Sequence, residues 1–176
     1  LLLLLSPLLL ITAAVVKATS KGPVLYAQER VGLDGKPFRM LKFRTMRADA
    51  EAKGPRFAED RDPRVTRIGS WLRRSSTDEL PQLWNVLLGD MSLVGPRPER
   101  PVFIDQFRRR IPRYQLRHMV KSGMTGWAQI HGLRGNTSIQ KRVEYDLYYI
   151  EHWSLLLDLK ILARTLAFGF LSRNAY

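Results

Sequence analysis

The chain opens on an apolar run, Leu1 to Val16 (LLLLLSPLLLITAAVV), and closes on a second one, Trp153 to Leu171. At 1.5 Å per residue the first run makes a helix about 24 Å long, against a hydrocarbon core of about 30 Å. Ser6-Pro7 sits inside it. Proline removes a helix hydrogen bond, and in lipid the freed carbonyl must find another donor. Two arrangements follow. A bent, re-entrant helix enters and leaves on one face, with Ser6 helping to satisfy the broken backbone; a kinked helix spans the bilayer. Lys17 and Lys21 come next and put this end on the cytoplasmic side. No basic segment is visible ahead of the run, which disfavours a cleaved signal peptide.

Between the two apolar runs the pattern is broken into short elements. Val24–Val31 and Phe38–Thr45 read as strands, with Asp34-Gly35 as the hairpin turn between them. Residues 47–62 (RADAEAKGPRFAEDRD) read as a polar loop. Ile68–Arg74 reads as a short helix. Leu80, Leu83, Trp84, Leu87 and Leu88 form an i, i+3, i+4, i+7, i+8 stripe, an amphipathic helix stopped by Gly89. Gly95-Pro96-Arg97-Pro98 is a rigid loop. Phe103, Phe107, Ile111 and Tyr114 make another helical stripe, with Arg108, Arg109 and Arg113 outside it. Gly123–Gly135 reads as a glycine-rich loop, and Lys141–Glu151 as a helix. The closing apolar helix carries Asp158, Lys160 and Arg164. It suits either a buried core position or the membrane interface, with Trp153 at headgroup level.

Composition narrows the class. The chain has 176 residues, 29 Lys+Arg and 16 Asp+Glu, hence a formal charge of +13, and 45% of its residues are hydrophobic. That excludes a disordered polyelectrolyte and points to anionic partners. Cysteine is absent, so disulfides, thiolate zinc sites and cysteine nucleophiles are excluded. The chain starts in mid-run without an initiating Met, as a piece of a longer protein would.

Candidate chemistry centres on Thr77-Asp78-Glu79-Leu80-Pro81. In the structural reading Thr77 caps the helix, the acids favour its positive end, and Pro81 occupies its first turn. In the functional reading, the helix N-terminus with Arg73 and Arg74 keeps Asp78 ionised and nucleophilic, and Glu79 ligates a hard divalent cation. Lys42 and Arg44 on the second strand, Arg97 between prolines and Arg134 between Leu133 and Gly135 are candidate phosphate-binding cations. Most other cations read as solvated surface. His118, His131 and His152 lack zinc spacing and read as structural. Asp146 and Asp158 either pair with an arginine or join the phosphate and metal site. There is no Walker loop, G-x-G-x-x-G or G-x-S-x-G, which leaves carboxylate, metal and arginine chemistry on phosphate.

The stretches KFRTM (42–46), DPRVTRIGSWLRRSSTDELPQLWNVLLGDMSLVGPRPE (62–99), GMTGWAQIHGLRG (123–135) and LDLKI (157–161) resemble the bacterial sugar transferase family, the monotopic phosphoglycosyl transferases. The resemblance covers essentially the whole chain. It implies an α+β, mainly α fold: a re-entrant helix broken at Ser6-Pro7 (residues 1–20), then a catalytic domain (21–176) with a short β-hairpin and amphipathic interfacial helices. It implies transfer of a sugar 1-phosphate from a UDP-sugar, glucose or galactose by preference, to undecaprenyl phosphate with release of UMP. By position, Asp78 resembles the nucleophile and Glu79 the carboxylate associated with Mg2+. Lys42, Arg44, Arg73, Arg97, Arg134, Asp146 and Asp158 fall at substrate-contacting or supporting positions. Implied partners are the two substrates, membrane lipids and a possible homodimer, with no nucleic acid; the implied location is the cytoplasmic face of the bacterial inner membrane. An N-acetylated or bacillosamine-type sugar is the alternative substrate. A membrane-anchored module binding anionic lipid or nucleic acid is the alternative class, but it predicts cations clustered on one helix or tail, and here they are dispersed among Gly/Pro loops. One departure is Ser122, where the family usually has proline before Gly123, which is expected to loosen that loop entry.

Overall fold

The structure is a computed structural model that describes residues 1–52, 54, 59, 62–135 and 137–168. Helix α1 (Leu2–Thr19) is the apolar run, and among the described residues it is the one helix long and apolar enough to cross a membrane. The expected helix-break-helix is not seen, because α1 continues through Pro7. The missing Pro7 N–H would have reached the carbonyl of Leu3, four residues back. The Ser6 hydroxyl donates to that carbonyl instead, at 2.8 Å, so serine supplies the hydrogen bond that proline withholds.

Strands β1 (Leu25–Val31) and β2 (Pro37–Phe43) form the expected hairpin, antiparallel, with Tyr26 opposite Lys42 and Arg30 opposite Phe38. The turn contains Asp34 and Gly35, both left-handed at φ 56° and 72°, a conformation that Asp tolerates and Gly adopts freely. The turn over residues 48–52 begins the expected 47–62 loop; residues 53, 55–58 and 60–61 of that loop lie outside the described residues.

Helix α2 (Arg67–Arg74) starts at Thr66, whose hydroxyl accepts from Gly69 N at 3.0 Å. Its Leu72 packs with Val16 of α1 and Phe43 of β2 in one small core. A Cβ on Gly69 would collide with the Thr45 carbonyl. Only glycine lets α2 lie this close to the strand that carries Lys42 and Arg44.

Helix α3 (Gln82–Leu88) reverses an expectation. Thr77 does not cap it: residues Thr77–Glu79 form a separate 3-10 turn, entered through Ser76 at φ 55°, and the Thr77 hydroxyl meets Ser75 Oγ at 2.7 Å. The apolar stripe is divided between the core and the surface. Trp84, Leu87 and Leu88 are exposed, while Gln82, Leu83 and Asn85 are buried. Asn85 explains the orientation. Its Oδ1 accepts from Leu41 N at 3.0 Å and its Nδ2 donates to the Arg39 carbonyl at 2.9 Å. The side-chain amide therefore satisfies the outer edge of β2, which among the described residues has no third strand beside it.

Beyond Gly89, left-handed as a helix stop, short strand β3 (Ser92–Val94) pairs in parallel with β4 (Gly123–Thr125). Helix α4 (Pro101–Arg110) ends before its predicted stripe does; Arg113 turns left-handed and Tyr114 falls in a 3-10 turn, Tyr114–His118. Phe103, Phe107, Ile111 and Tyr114 still pack together, against Val143 and Leu147 of helix α6 (Ile139–Glu151). The expected glycine-rich loop holds real structure: β4 and the short helix α5 (Trp127–Ile130). Helix α7 (Leu155–Phe168) uses both of its anticipated environments. Ile161 is buried with Val94 and Tyr149, while Leu155, Leu156, Leu159 and Leu166 are exposed. The end of that apolar run, residues 169–171, lies outside the described residues.

His118 is structural. Its ring meets Tyr114 edge-on at 5.7 Å, and burial, aided by Arg117, pushes its pKa down to about 4. Between pH 6.5 and 4 the unfolded chain binds the proton and the folded one resists it, so stability falls as the pH drops through that window. The melting temperature should decline over this range, and less steeply in His118→Phe; an equal slope in both proteins would refute this account.

Candidate active site

One cavity of about 300 Å3 is lined by Lys42, Arg44, Arg73, Asp78 and Arg97 of the predicted residues. The hairpin supplies much of its wall. Tyr26, Gln28 and Arg30 alternate along β1 toward the cavity, and Lys42 shares their face as the cross-strand partner of Tyr26. Sequence reasoning missed Tyr26, Gln28 and Arg30, although their period of two was available as a signal. It also missed Glu99, Arg100 and Arg142, which line the same space.

Asp78 and Glu79 are both buried, on the 3-10 turn after Ser76. They do different things. Asp78 lines the cavity. Burial pushes its carboxyl up to about 6, outweighing the pull of Lys42, and the Glu79 charge acts in the same upward direction. The helix terminus and arginines were expected to keep it fully ionised; desolvation wins over them, and Arg74 is exposed. Burial alone would raise Glu79 too, but Arg97 and Lys42 overcome it and hold this carboxyl well below the usual range. Lys42 Nζ donates to Glu79 Oε1 at 2.8 Å. Arg97 Nη1 reaches Oε2 at 3.2 Å, and its Nη2 also binds Oε1. Arg134 Nη2 lies 4.0 Å from Oε2.

Each cation is placed by its own element. Arg73, in the last turn of α2, donates from Nε to Thr45 Oγ1 at 2.9 Å. Arg44 is turned to the end of α1, donating to Ser20 O and Ser20 Oγ, both at 2.8 Å. Arg97 rides on the Gly95-Pro96-Arg97-Pro98 loop, which is laced to β4: Gly95 N donates to Thr125 O and Gly123 N to Pro96 O, both at 2.9 Å. A Cβ on Gly123 would strike Gly95 N, so this approach demands glycine. Ser122 is buried, and its carbonyl accepts from Ser92 N at 2.8 Å. The strand pairing thus ties down the entry that lacks the family's proline.

Four predicted site residues do not line the cavity: Glu79, which binds its Lys42 and Arg97, Arg134 next to Glu79, and Asp146 and Asp158. Asp146 is 2% exposed and accepts from Arg117 Nη2 at 2.6 Å. Asp158 accepts from Tyr149 Oη at 2.8 Å and Trp153 Nε1 at 3.1 Å. Both take the pairing role that was one of their two readings, though Asp158 pairs with aromatic donors and not with arginine.

Lys42, Arg44, Arg73 and Arg97 line the cavity together with Arg30, Arg100 and Arg142, against the carboxylates of Glu51, Asp78 and Glu99, an excess of positive charge suited to a diphosphate. Among the described residues no three of His, Asp and Glu gather into a metal cage. Magnesium is commonly held by one or two carboxylates together with substrate phosphates; of the adjacent pair, Asp78 lines the cavity, while both Glu79 oxygens are engaged by Arg97 and Lys42.

Residues 1–172 match the family described as bacterial sugar transferase. The chain belongs to the bacterial sugar transferase family. Among curated relatives, the UDP-glucose:undecaprenyl-phosphate glucose-1-phosphate transferase of Escherichia coli (strain K12) is 50% identical over 99% of this chain and 39% of its own length. The UDP-N-acetylgalactosamine-undecaprenyl-phosphate N-acetylgalactosaminephosphotransferase of Aeromonas hydrophila is 49% identical over 93% of this chain and 39% of its own length. The UDP-glucose:undecaprenyl-phosphate glucose-1-phosphate transferase of Caulobacter vibrioides is 48% identical over 98% of this chain and 66% of its own length. The chain thus spans about two fifths of the first two relatives. In this bacterial sugar transferase the segment DELPQ (78–82) puts Asp78 at the cavity and Glu79 against Lys42 and Arg97.

Proposed function

We propose that the protein transfers a sugar 1-phosphate, glucose 1-phosphate first among candidates, from a UDP-sugar to undecaprenyl phosphate. The observation that carries this reading is a buried carboxylate, Asp78, lining a cavity among Lys42, Arg73 and Arg97. The relatives' names support the substrate class. In this reading an Asp78 oxygen attacks the sugar-bearing phosphorus. The bond to the bridging oxygen breaks, UMP leaves with the electron pair, and a phosphosugar-aspartyl ester forms. The lipid phosphate oxygen then attacks the same phosphorus, releasing the Asp78 carboxylate and the polyprenyl-diphosphate sugar. Desolvation suits the nucleophile, because a poorly solvated carboxylate is more reactive. Lys42, Arg73 and Arg97 offset the repulsion between two anionic substrates. Arg44 and Arg134 add positive charge at the periphery. Glu79 would hold magnesium together with donor phosphates, and the metal supplies further charge neutralisation.

The assay is UMP release with undecaprenyl phosphate, magnesium and a panel of UDP-sugars. Highest turnover with UDP-glucose is expected, and no UMP from any donor would overturn the reading. An N-acetylated sugar is the second candidate, favoured by the Aeromonas relative.

We also propose attachment to the cytoplasmic face of the bacterial inner membrane, residues 1–20 forming the anchor and 21–176 the catalytic part. The apolar α1, and Trp84, Leu87 and Leu88 exposed on α3, support it. In this proposal α1, continuous through Pro7 in this structure, bends at Ser6-Pro7 once in lipid and so becomes re-entrant. Accessibility labelling should find cysteines introduced at Leu1 and Ser20 on the same side; opposite sides would replace re-entry by a span.

A further inference from the structure

We propose that Arg117 is a positioning residue for the transfer reaction, acting through the backbone of Arg97. This rests on the proposed function, in which Arg97 meets the donor phosphates. A single nitrogen, Arg117 Nη2, donates to Asp146 Oδ2 at 2.6 Å and to the Arg97 carbonyl at 2.9 Å. Arg117 and Asp146 are each 2% exposed, so neither reaches substrate in the cavity. Arg97 is thereby held at both ends: its carbonyl by Arg117, its guanidinium by Glu79 and by Gln129 Oε1, the latter at 3.0 Å.

The same device recurs beside it. Arg30 Nη1 donates to the Pro98 carbonyl at 2.9 Å. Arg142 Nη2 donates to the Gly135 carbonyl at 2.8 Å, and its Nη1 to Glu99 Oε1 at 2.6 Å. Glu99 lies 3.9 Å from both Arg30 and Arg117. Arginines, two of them buried (Arg117 and Arg142), thus grip the carbonyls of 97, 98 and 135, which belong to the loops that carry Arg97 and Arg134. Buried ion pairs are poor stabilisers, since apolar residues of similar volume commonly serve as well or better. Their value here is geometric. Three loop carbonyls are fixed by forked, always-charged donors, and the side chains of Arg97 and Arg134 on the same loops are steadied with them.

The test uses Arg117→Met combined with Asp146→Leu, which removes both charges and leaves neither one buried alone. Wild-type UMP release with undecaprenyl phosphate and UDP-glucose comes first; without it the proposed function fails, separately from this inference. Given wild-type turnover, the folded double variant should lose kcat by about ten- to hundred-fold, the scale set by small misplacements of reacting groups, while the UDP-sugar KM moves less than about three-fold. The deciding measurement repeats the change in an Arg97→Lys background. Acting through Arg97, the loss should shrink there by about five-fold or more. An undiminished loss, or a folded double variant with wild-type kcat, overturns the inference. Should the double variant not fold, Arg117→Lys decides. It keeps the charge for Asp146 on a shorter arm that releases the Arg97 carbonyl, so a lowered kcat is expected and an unchanged kcat refutes the proposal.

Discussion

Asp78→Asn is expected to abolish turnover, by about 10³-fold or more, the scale on which a reacting group is missed, while leaving the fold intact or firmer. The two effects have one origin. Burial lifts the Asp78 pKa from 3.8 to about 6. The protonated acid is therefore favoured by the fold and the ionised one disfavoured. The penalty is absent below pH 3.8, grows as pH rises to about 6, and is constant above that. At pH 7.5 it amounts to about 3 kcal/mol at most. A neutral amide of the same shape escapes it, so the variant's melting temperature should equal or exceed the wild type's. UMP release and thermal melting measure the two halves. Intact mass of the wild type incubated with UDP-sugar but no lipid should show one added phosphosugar, absent from the variant. Sustained turnover in Asp78→Asn would remove the covalent step.

Glu79→Gln should damage both properties together, for the opposite electrostatic reason. Glu79 is the shared anion of Lys42 and Arg97, with Arg134 close by. Its folded pKa lies well below the usual range, so its ionised form contributes stability at neutral pH that is lost on acidification. An uncharged amide leaves clustered cations without their counter-ion. Breaking such a buried pair costs about 3 kcal/mol, and turnover should drop about 10²-fold or more as Lys42 and Arg97 lose their placement. A variant that melts and turns over like the wild type would show that Glu79 does not organise these cations.

The hairpin was legible because β1 and β2 alternate and Asp34-Gly35 marks their turn. The acidic pair was legible through its family motif. Division of labour within the pair was not: adjacent carboxylates look alike in sequence, and only the fold gives one to the cavity and the other to Lys42 and Arg97. Asp146 illustrates the remaining difficulty. A helical acid with many arginines elsewhere has no sequence mark of its partner, and Arg117 lies 29 residues away. The stripe on α3 left one question open. Periodicity reveals that a helix has two faces, but not which one turns inward, and here Asn85 decides by serving the edge of β2.

That orientation governs how the molecule tolerates handling. An ordinary domain hides its greasy helix face and is content in buffer, whereas this one directs Trp84, Leu87 and Leu88 outward and also carries a greasy amino-terminal rod. Stripped of amphiphile, such molecules minimise their wetted hydrocarbon by clumping. Detergent or nanodiscs therefore act as a substitute for a missing part of the molecule's surroundings, and activity lost on their removal should return when they are restored.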